Sequence, residues 1–309
     1  MFEQMQNNSQ ILIQLQGLND SLASRPIFVL ALTSYVFTVL VNLTLIVTVC
    51  LDETLHQPIY VFMCNLCVNG ICGASSFYPK LLYDLLADHQ VITYAGCMTQ
   101  MFFTYSYVFC EFTSLTVMAY DRFEAICRPL RYRALMTGQK VVQLLAFTWS
   151  LSLMETAVGI FLLIRLPLCK RHIPKVFCTN WEVVKLSCSS TVANDMYGLL
   201  LVVLHLLQAG LILVSYVHLV RTAVRSQSDR RKFLQTCLPH LAALLVFTAS
   251  LLFDTLFSRY AGGSMAALQN ALAAEFLVVP PLVNPVIYGV NLQQVRTRIR
   301  LRFILRTGT

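Results

Sequence analysis

Met118-Ala119-Tyr120-Asp121-Arg122-Phe123-Glu124-Ala125-Ile126-Cys127-Arg128-Pro129-Leu130-Arg131-Tyr132 closes a long apolar stretch with an acid beside an arginine, and a basic segment follows it. An ionised pair at the edge of a membrane-length apolar run is costly unless it is used. Asp121 and Arg122 are therefore functional-site candidates. The plainer reading of Arg122 is a side chain snorkelling from a helix end toward water.

The rest of the chain has a matching composition. Of its 309 residues, 57% are apolar and 12% charged, against about 25% charged in soluble domains. A polytopic membrane protein follows. The net charge of +8 would suggest a nucleic-acid partner in a soluble protein. Here the basic residues lie in segments between apolar runs, which points to membrane orientation and away from nucleic acid. The first 26 residues are polar and lack the charged and apolar regions of a cleavable signal. Within them Asn7 and Asn19 each begin a glycosylation sequon.

Apolar segments of spanning length recur seven times, at roughly 27–51, 58–86, 97–121, 141–166, 195–220, 233–258 and 268–290. The expected fold is an all-α membrane protein, a seven-helix transmembrane bundle. Residues 1–26 form an extracellular glycosylated leader, 27–290 the spanning domain and 291–309 a cytoplasmic basic tail. Arginine and lysine crowd the loops after Arg122, after Arg221 and after Arg296, and are sparser in the opposite set. The positive-inside rule puts the carboxyl terminus in the cytoplasm and the amino terminus outside. Leu292, Val295, Ile299, Phe303 and Ile304 recur among the tail arginines, as expected of a short amphipathic helix on the inner leaflet.

Of 11 cysteines, Cys97, Cys169, Cys178 and Cys188 fall on the outer side, where oxidation favours pairing. Four cysteines allow three connectivities, and spacing does not choose among them. A zinc site lacks support, since His172 stands alone. No nucleophile–base pair, metal constellation or phosphate loop stands out, so neither an enzyme nor a cofactor is expected. Transporters carry inverted repeats or interrupted helices, and only the prolines of the last span resemble such a feature. No lysine lies between Leu268 and Val290, which excludes a retinal Schiff base there.

The run Met118 to Tyr132 resembles the third-helix signature of vertebrate odorant receptors, a branch of the rhodopsin-like (class A) G-protein-coupled receptors. It departs from that signature mainly at Phe123 and Arg128. Asn284-Pro285-Val286-Ile287-Tyr288, Ser215-Tyr216 and the stretch from Lys232 to His240 resemble further family motifs, in the same order. Asn65-Leu66-Cys67-Val68-Asn69-Gly70 and Phe77-Tyr78-Pro79-Lys80 are similar to the fish-type branch, which implies a water-borne ligand.

Several expectations come from this resemblance. The disulfides would be Cys97–Cys178 and Cys169–Cys188. Asp121 would hold Arg122 at rest, with Tyr216, His240, Asn284, Pro285 and Tyr288 completing the switch for G-protein coupling. Ligand would lie among the outer halves of the spans, against Thr104, Tyr105, Val108, Leu200, Leu204, Leu251 and Thr255. Asp254 and Glu275, if turned inward, would favour an amine. Glu111 faces the bundle if Arg122 does. The usual companion aspartate is replaced by Gly70, leaving Glu111 and Asn69 as an ion site short of one carboxylate.

The implied function is an odorant receptor that binds a small organic molecule and activates a heterotrimeric G protein of the olfactory stimulatory type, raising cyclic AMP. Membrane lipid and an export chaperone are the other expected partners, and the ciliary plasma membrane of olfactory neurons is the expected location. A non-olfactory class A receptor is the alternative; a transporter or channel is more remote.

Overall fold

A computed structural model describes residues 11–16, 24–223, 241, 244–252, 266–291 and 296–298; for 222–223, 266–273 and 288–291 it describes the backbone alone. The long helices are α1 (Ser24–Cys50), α2 (Pro58–Leu86), α3 (Tyr94–Cys127), α5 (Gly138–Ile164), α7 (Val192–Ala223) and α9 (Ala266–Asn291). Shorter ones are α4 (Pro129–Leu135), α6 (Asn180–Val184) and α8 (residues 244–252). Local signals set several starts. Pro58 and Pro129 open α2 and α4, where a missing amide hydrogen costs nothing. Thr93 and Thr137 cap α3 and α5 through their hydroxyls.

Among the described residues, α1, α2, α5 and α7 are long and apolar enough to cross a membrane. Their outward faces are apolar: Leu30, Phe37, Val142 and Leu211 are all exposed. In water such faces would drive aggregation, whereas against lipid chains they carry no penalty. Helix α3 is built differently. It packs against α2, α5 and α7 and buries Gln100, Thr104, Ser106, Glu111, Thr113, Asp121 and Glu124. Its neighbours, rather than lipid, cover it, so it can hold the polar groups. Of the sixth expected span, 233–258, residues 241 and 244–252 are described, and they are helical.

Polar ties lock the helices where packing alone would let them slide. Trp149 donates to Asn65 (2.8 Å), which donates to Ser114 (2.8 Å), joining α5, α2 and α3. Helix α9 contains Pro280, Pro281 and Pro285. A proline leaves the carbonyl four residues earlier without its helical donor. Pro280 thus frees the Phe276 carbonyl, which accepts from the Tyr107 hydroxyl at 3.0 Å. Pro285 frees the Pro281 carbonyl, which accepts from Asn42 at 2.8 Å. The bend in composition becomes two interhelical bonds, one to α3 and one to α1.

The end of the bundle that carries the disulfides is closed by a small sheet that the sequence reading did not anticipate. Strand β1 (Leu12–Leu15) is its centre. It pairs antiparallel with β2 (Val91–Thr93) and parallel with β3 (His172–Ile173). Part of the expected polar leader is therefore built into the body. Leu12 and Gln14 face out, while Ile13 and Leu15 are buried against Ile92, Met101, Leu163 and Ile173. An alternation of four residues is too short to stand out beside apolar runs of spanning length. Disulfides join Cys97 to Cys178 and Cys169 to Cys188, each with 5.6 Å between Cα atoms. They tie the loop carrying β3 and α6 to the top of α3 and to itself. Lys80 at the end of α2 pairs with Asp84 and donates to the Val91 carbonyl, fastening β2 to the bundle.

Candidate functional site

Three features lie along α3. At its basic end, the Arg122 guanidinium donates to Asp121 Oδ2 through Nε at 2.9 Å. The other carboxylate oxygen, Oδ1, accepts from the Tyr132 hydroxyl at 2.7 Å. Asp121 is fully buried and Arg122 partly so. Tyr132 reaches Asp121 because the chain breaks at Arg128–Pro129 and re-enters helix as α4. Burial, then the Asp121 carboxylate, pushes the Tyr132 hydroxyl up from its ordinary value, so it stays a donor. The two departures from the family signature meet here. The Arg128 guanidinium lies over the Phe123 ring at 5.4 Å and pairs with Glu124 at 3.2 Å. Phe123 in turn meets the His218 ring of α7 edge-on.

Three turns from Arg122 toward the disulfide end, Glu111 is buried in the bundle. Its Oε2 accepts from Asn69 at 2.9 Å and its Oε1 from Asn284 at 2.7 Å. Asn69 donates also to the Tyr107 carbonyl at 3.0 Å. Both carboxylate oxygens thus take amide donors, and α2, α3 and α9 meet at one side chain. A Cβ at Gly70 would stand 3.3 Å from the Pro281 backbone, so α9 occupies the space beside that position. Among the described residues no cluster of metal-ligating side chains is found.

Nearer the disulfides, a cavity of about 130 Å³ opens between α3, α5, α7 and α8. Tyr105, Val108, Phe109 and Phe112 form one wall, Glu155, Thr156 and Gly159 a second, and Tyr197, Leu201 and His205 a third. Thr248 and Leu251 close it from α8, and Thr179 to Trp181 roof it. The roof is held down: the Cys178 amide donates to Gln100 at 3.1 Å and the Asn180 amide to the Tyr105 hydroxyl at 3.0 Å. Tyr197 donates to the Glu155 carbonyl at 2.7 Å, tying α7 to α5 beside the cavity. Mostly apolar walls with a few convergent polar groups suit a small organic ligand.

A family model described as olfactory receptor matches residues 31–306. The chain belongs to the olfactory receptor family. It is 33% identical to Olfactory receptor 8A1 of Homo sapiens over 278 residues, 89% of this chain and 85% of the relative. It is 35% identical to Olfactory receptor 1073 of Rattus norvegicus over 303 residues, 96% of each. To Olfactory receptor 8B3 of Homo sapiens it is 34% identical over 296 residues, 94% of this chain and 93% of the relative. The protein is thus a multi-pass membrane receptor of the G-protein-coupled type, and not an enzyme. The resemblance read from Met118 to Tyr132 and the later motifs holds over most of the chain.

The receptor places its expected residues unevenly. Asp121 and Arg122 pair, and Asn284 meets Glu111, with Pro285 beside it in α9. Tyr216 is buried in α7. His240, Thr255 and Asp254, the glycosylation candidates Asn7 and Asn19, and the Tyr288 side chain lie outside the described residues. Of the pocket candidates, Tyr105, Val108 and Leu251 line the cavity. Thr104 does not; it turns to α2, where its hydroxyl meets Ser76 at 3.0 Å. Leu200 and Leu204 are exposed on the outer face of α7, and their neighbours Leu201 and His205 line the cavity instead. Helix α7 is apolar all round, so its hydropathy carries no phase. Glu275 has a buried, unpartnered Oε2 but does not line the cavity. The sequence reading missed Tyr132, Glu155 and His205. Glu155, the only acid within 141–166, was the visible signal for the second of these.

Proposed function

We propose that the chain is an odorant receptor. In this reading a small, water-borne organic molecule occupies the cavity below the disulfide-held roof. Its binding shifts the bundle toward a state that activates a heterotrimeric G protein of the olfactory stimulatory type and raises cyclic AMP. The observation that carries it is the placement of cavity, interior carboxylate and Asp121–Arg122 pair along the one helix α3. A ligand shifts such an equilibrium only through contacts that differ between the two states. Packing offers the route: His205 in the cavity wall meets Phe112, Phe112 meets Phe247 at 5.1 Å, and Phe247 meets Tyr107 at 6.2 Å. Tyr107 bonds the proline-freed carbonyl of α9.

The arrangement of Asp121, Arg122 and Tyr132 is, in this reading, the resting one. The amino terminus lies outside with the disulfides, seven helices span, and the basic loops meet lipid and G protein inside. His240, Tyr288 and Tyr216 join the active-state contacts, and the ciliary plasma membrane is the site of action. The test is cyclic AMP in cells expressing the chain with an olfactory-type G protein, challenged with small amines, amino acids and neutral odorants. A dose-dependent rise is expected. It should be lost in Arg122→Ala at equal surface level. A rise that survives Arg122→Ala would sink the switch as drawn.

A further inference from the structure

His205 and Glu155 face each other in the cavity wall in an incomplete arrangement. The ring of His205 is held by Phe109, stacked at 5.0 Å, and by Phe112 at 5.1 Å. Its Nδ1 lies 2.8 Å from the Leu201 carbonyl. A carbonyl only accepts, so Nδ1 carries the hydrogen, and in the neutral ring Nε2 is left with a lone pair. That Nε2 stands 3.7 Å from Glu155 Oε2, and neither atom has a hydrogen-bond partner. Two acceptors therefore meet in a largely apolar wall with no hydrogen between them. Leaving buried acceptors unmet is costly, and a group that brings hydrogens to both relieves it.

The cavity supplies no cation of its own: no lysine or arginine is among its described lining residues, where Glu155 is the one carboxylate and the other polar groups are neutral, Thr179 and Thr248 among them. A nitrogen placed off the Nε2–Oε2 line can reach both atoms at about 2.8–3.0 Å, ordinary hydrogen-bond range. An ammonium has the charge to match Glu155 and a second hydrogen for His205. An alcohol has one hydrogen and no charge. The space beside the pair is near that of an engineered apolar cavity of roughly 150 Å³ that holds benzene, so the remainder of the ligand is about one ring in size.

We propose that Glu155 and His205 form the polar end of the ligand cavity and select a small, ring-sized primary amine in its ammonium form. This rests on the reading of the cavity as the ligand site. Three probes of one shape separate the possibilities: benzylamine, benzyl alcohol and toluene. Binding is measured as the shift in thermal unfolding of the full-length receptor in lipid nanodiscs, and signalling as cyclic AMP in cells. Benzylamine is expected to bind about tenfold or more tighter than benzyl alcohol, as befits a charge-assisted hydrogen bond against a neutral one. Glu155→Gln, which keeps the size of the side chain, should erase that preference while surface level and the weak binding of benzyl alcohol persist.

Equal or weaker binding of benzylamine in the unaltered receptor overturns the proposal, because the pair would then be closing on itself through a proton on His205. No shift with benzylamine at millimolar concentration overturns it as well, and so does a preference that survives Glu155→Gln. Gly159→Leu, which fills the space between α5 and α7, isolates the underlying reading. If it leaves the binding of every probe unchanged at normal surface level, the cavity is not the ligand site. If it abolishes all binding and no amine preference existed, the cavity reading stands and the amine alone falls.

Discussion

Tyr132 reaches back across the helix break at Arg128–Pro129 and holds the Asp121 oxygen that Arg122 leaves free. In the proposed resting state that hydroxyl keeps the carboxylate in place for the arginine. A hydrogen bond to a charged group contributes about 1.5–3 kcal/mol. Tyr132→Phe is therefore expected to raise ligand-free cyclic AMP about tenfold or more at equal surface level, and Asp121→Asn to raise it further. Unchanged basal signalling in both would remove the pair from the switch. The partnership of Asp121 and Arg122 was legible because the two are adjacent in sequence. Tyr132 ends the same run, yet its role was not legible there, since the turn that brings it back is set by tertiary packing. Glu155 and His205 stayed hidden for a related reason: no periodicity links α5 to α7.

Between helices, close approach is what the small residues secure. A Cβ at Gly73 would stand 2.5 Å from the Tyr107 ring, closer than any side-chain carbon tolerates. Gly73→Ala would push that ring away from α2 and break its bond to the Phe276 carbonyl. A loss of about 1–3 kcal/mol of stability is expected from one unmet buried group. It is readable as a lower unfolding temperature in nanodiscs, with little change expected for Gly138→Ala, where the space is open. Asn42→Leu removes the donor to the Pro281 carbonyl and should cost a similar amount. The prolines of α9 announced irregularity in the sequence. Which donors would answer the freed carbonyls was not readable, because Asn42 and Tyr107 lie on helices distant in the chain. Helix ends were easier: α2 and α9 begin and end close to the apolar limits read from composition, since the same lipid thickness sets both.

For the whole molecule, the described residues turn large apolar side chains outward as well as into the core, and the apolar composition alone made that outward surface legible. The sheet that caps the disulfide end was not, because its strands are two to four residues long and two of them lie far from β1 in sequence. The cap gives a paired prediction. Ile13 is fully buried in it and Leu12 is 54% exposed. Ile13→Asp places a carboxylate among apolar side chains with nothing to pair it. It should sharply lower the amount of receptor at the cell surface, measured by antibody against an extracellular tag. Leu12→Asp should leave it near normal. Equal loss in both would mean that the strand matters for something other than its buried face.

Strand β1 also sets an order of manufacture. It is the first described element to leave the ribosome, yet it is the centre of its sheet. Its antiparallel neighbour β2 is made only after α1 and α2, and its parallel neighbour β3 only after α5. Pairings so distant in the chain form late and slowly. In the proposed topology the amino-terminal strand must cross the membrane, wait on the far side while most of the bundle is threaded in, and lock only when the loop after α5 follows it through. A nascent chain halted before that loop would carry its helices in the bilayer and still lack a lid over the cavity.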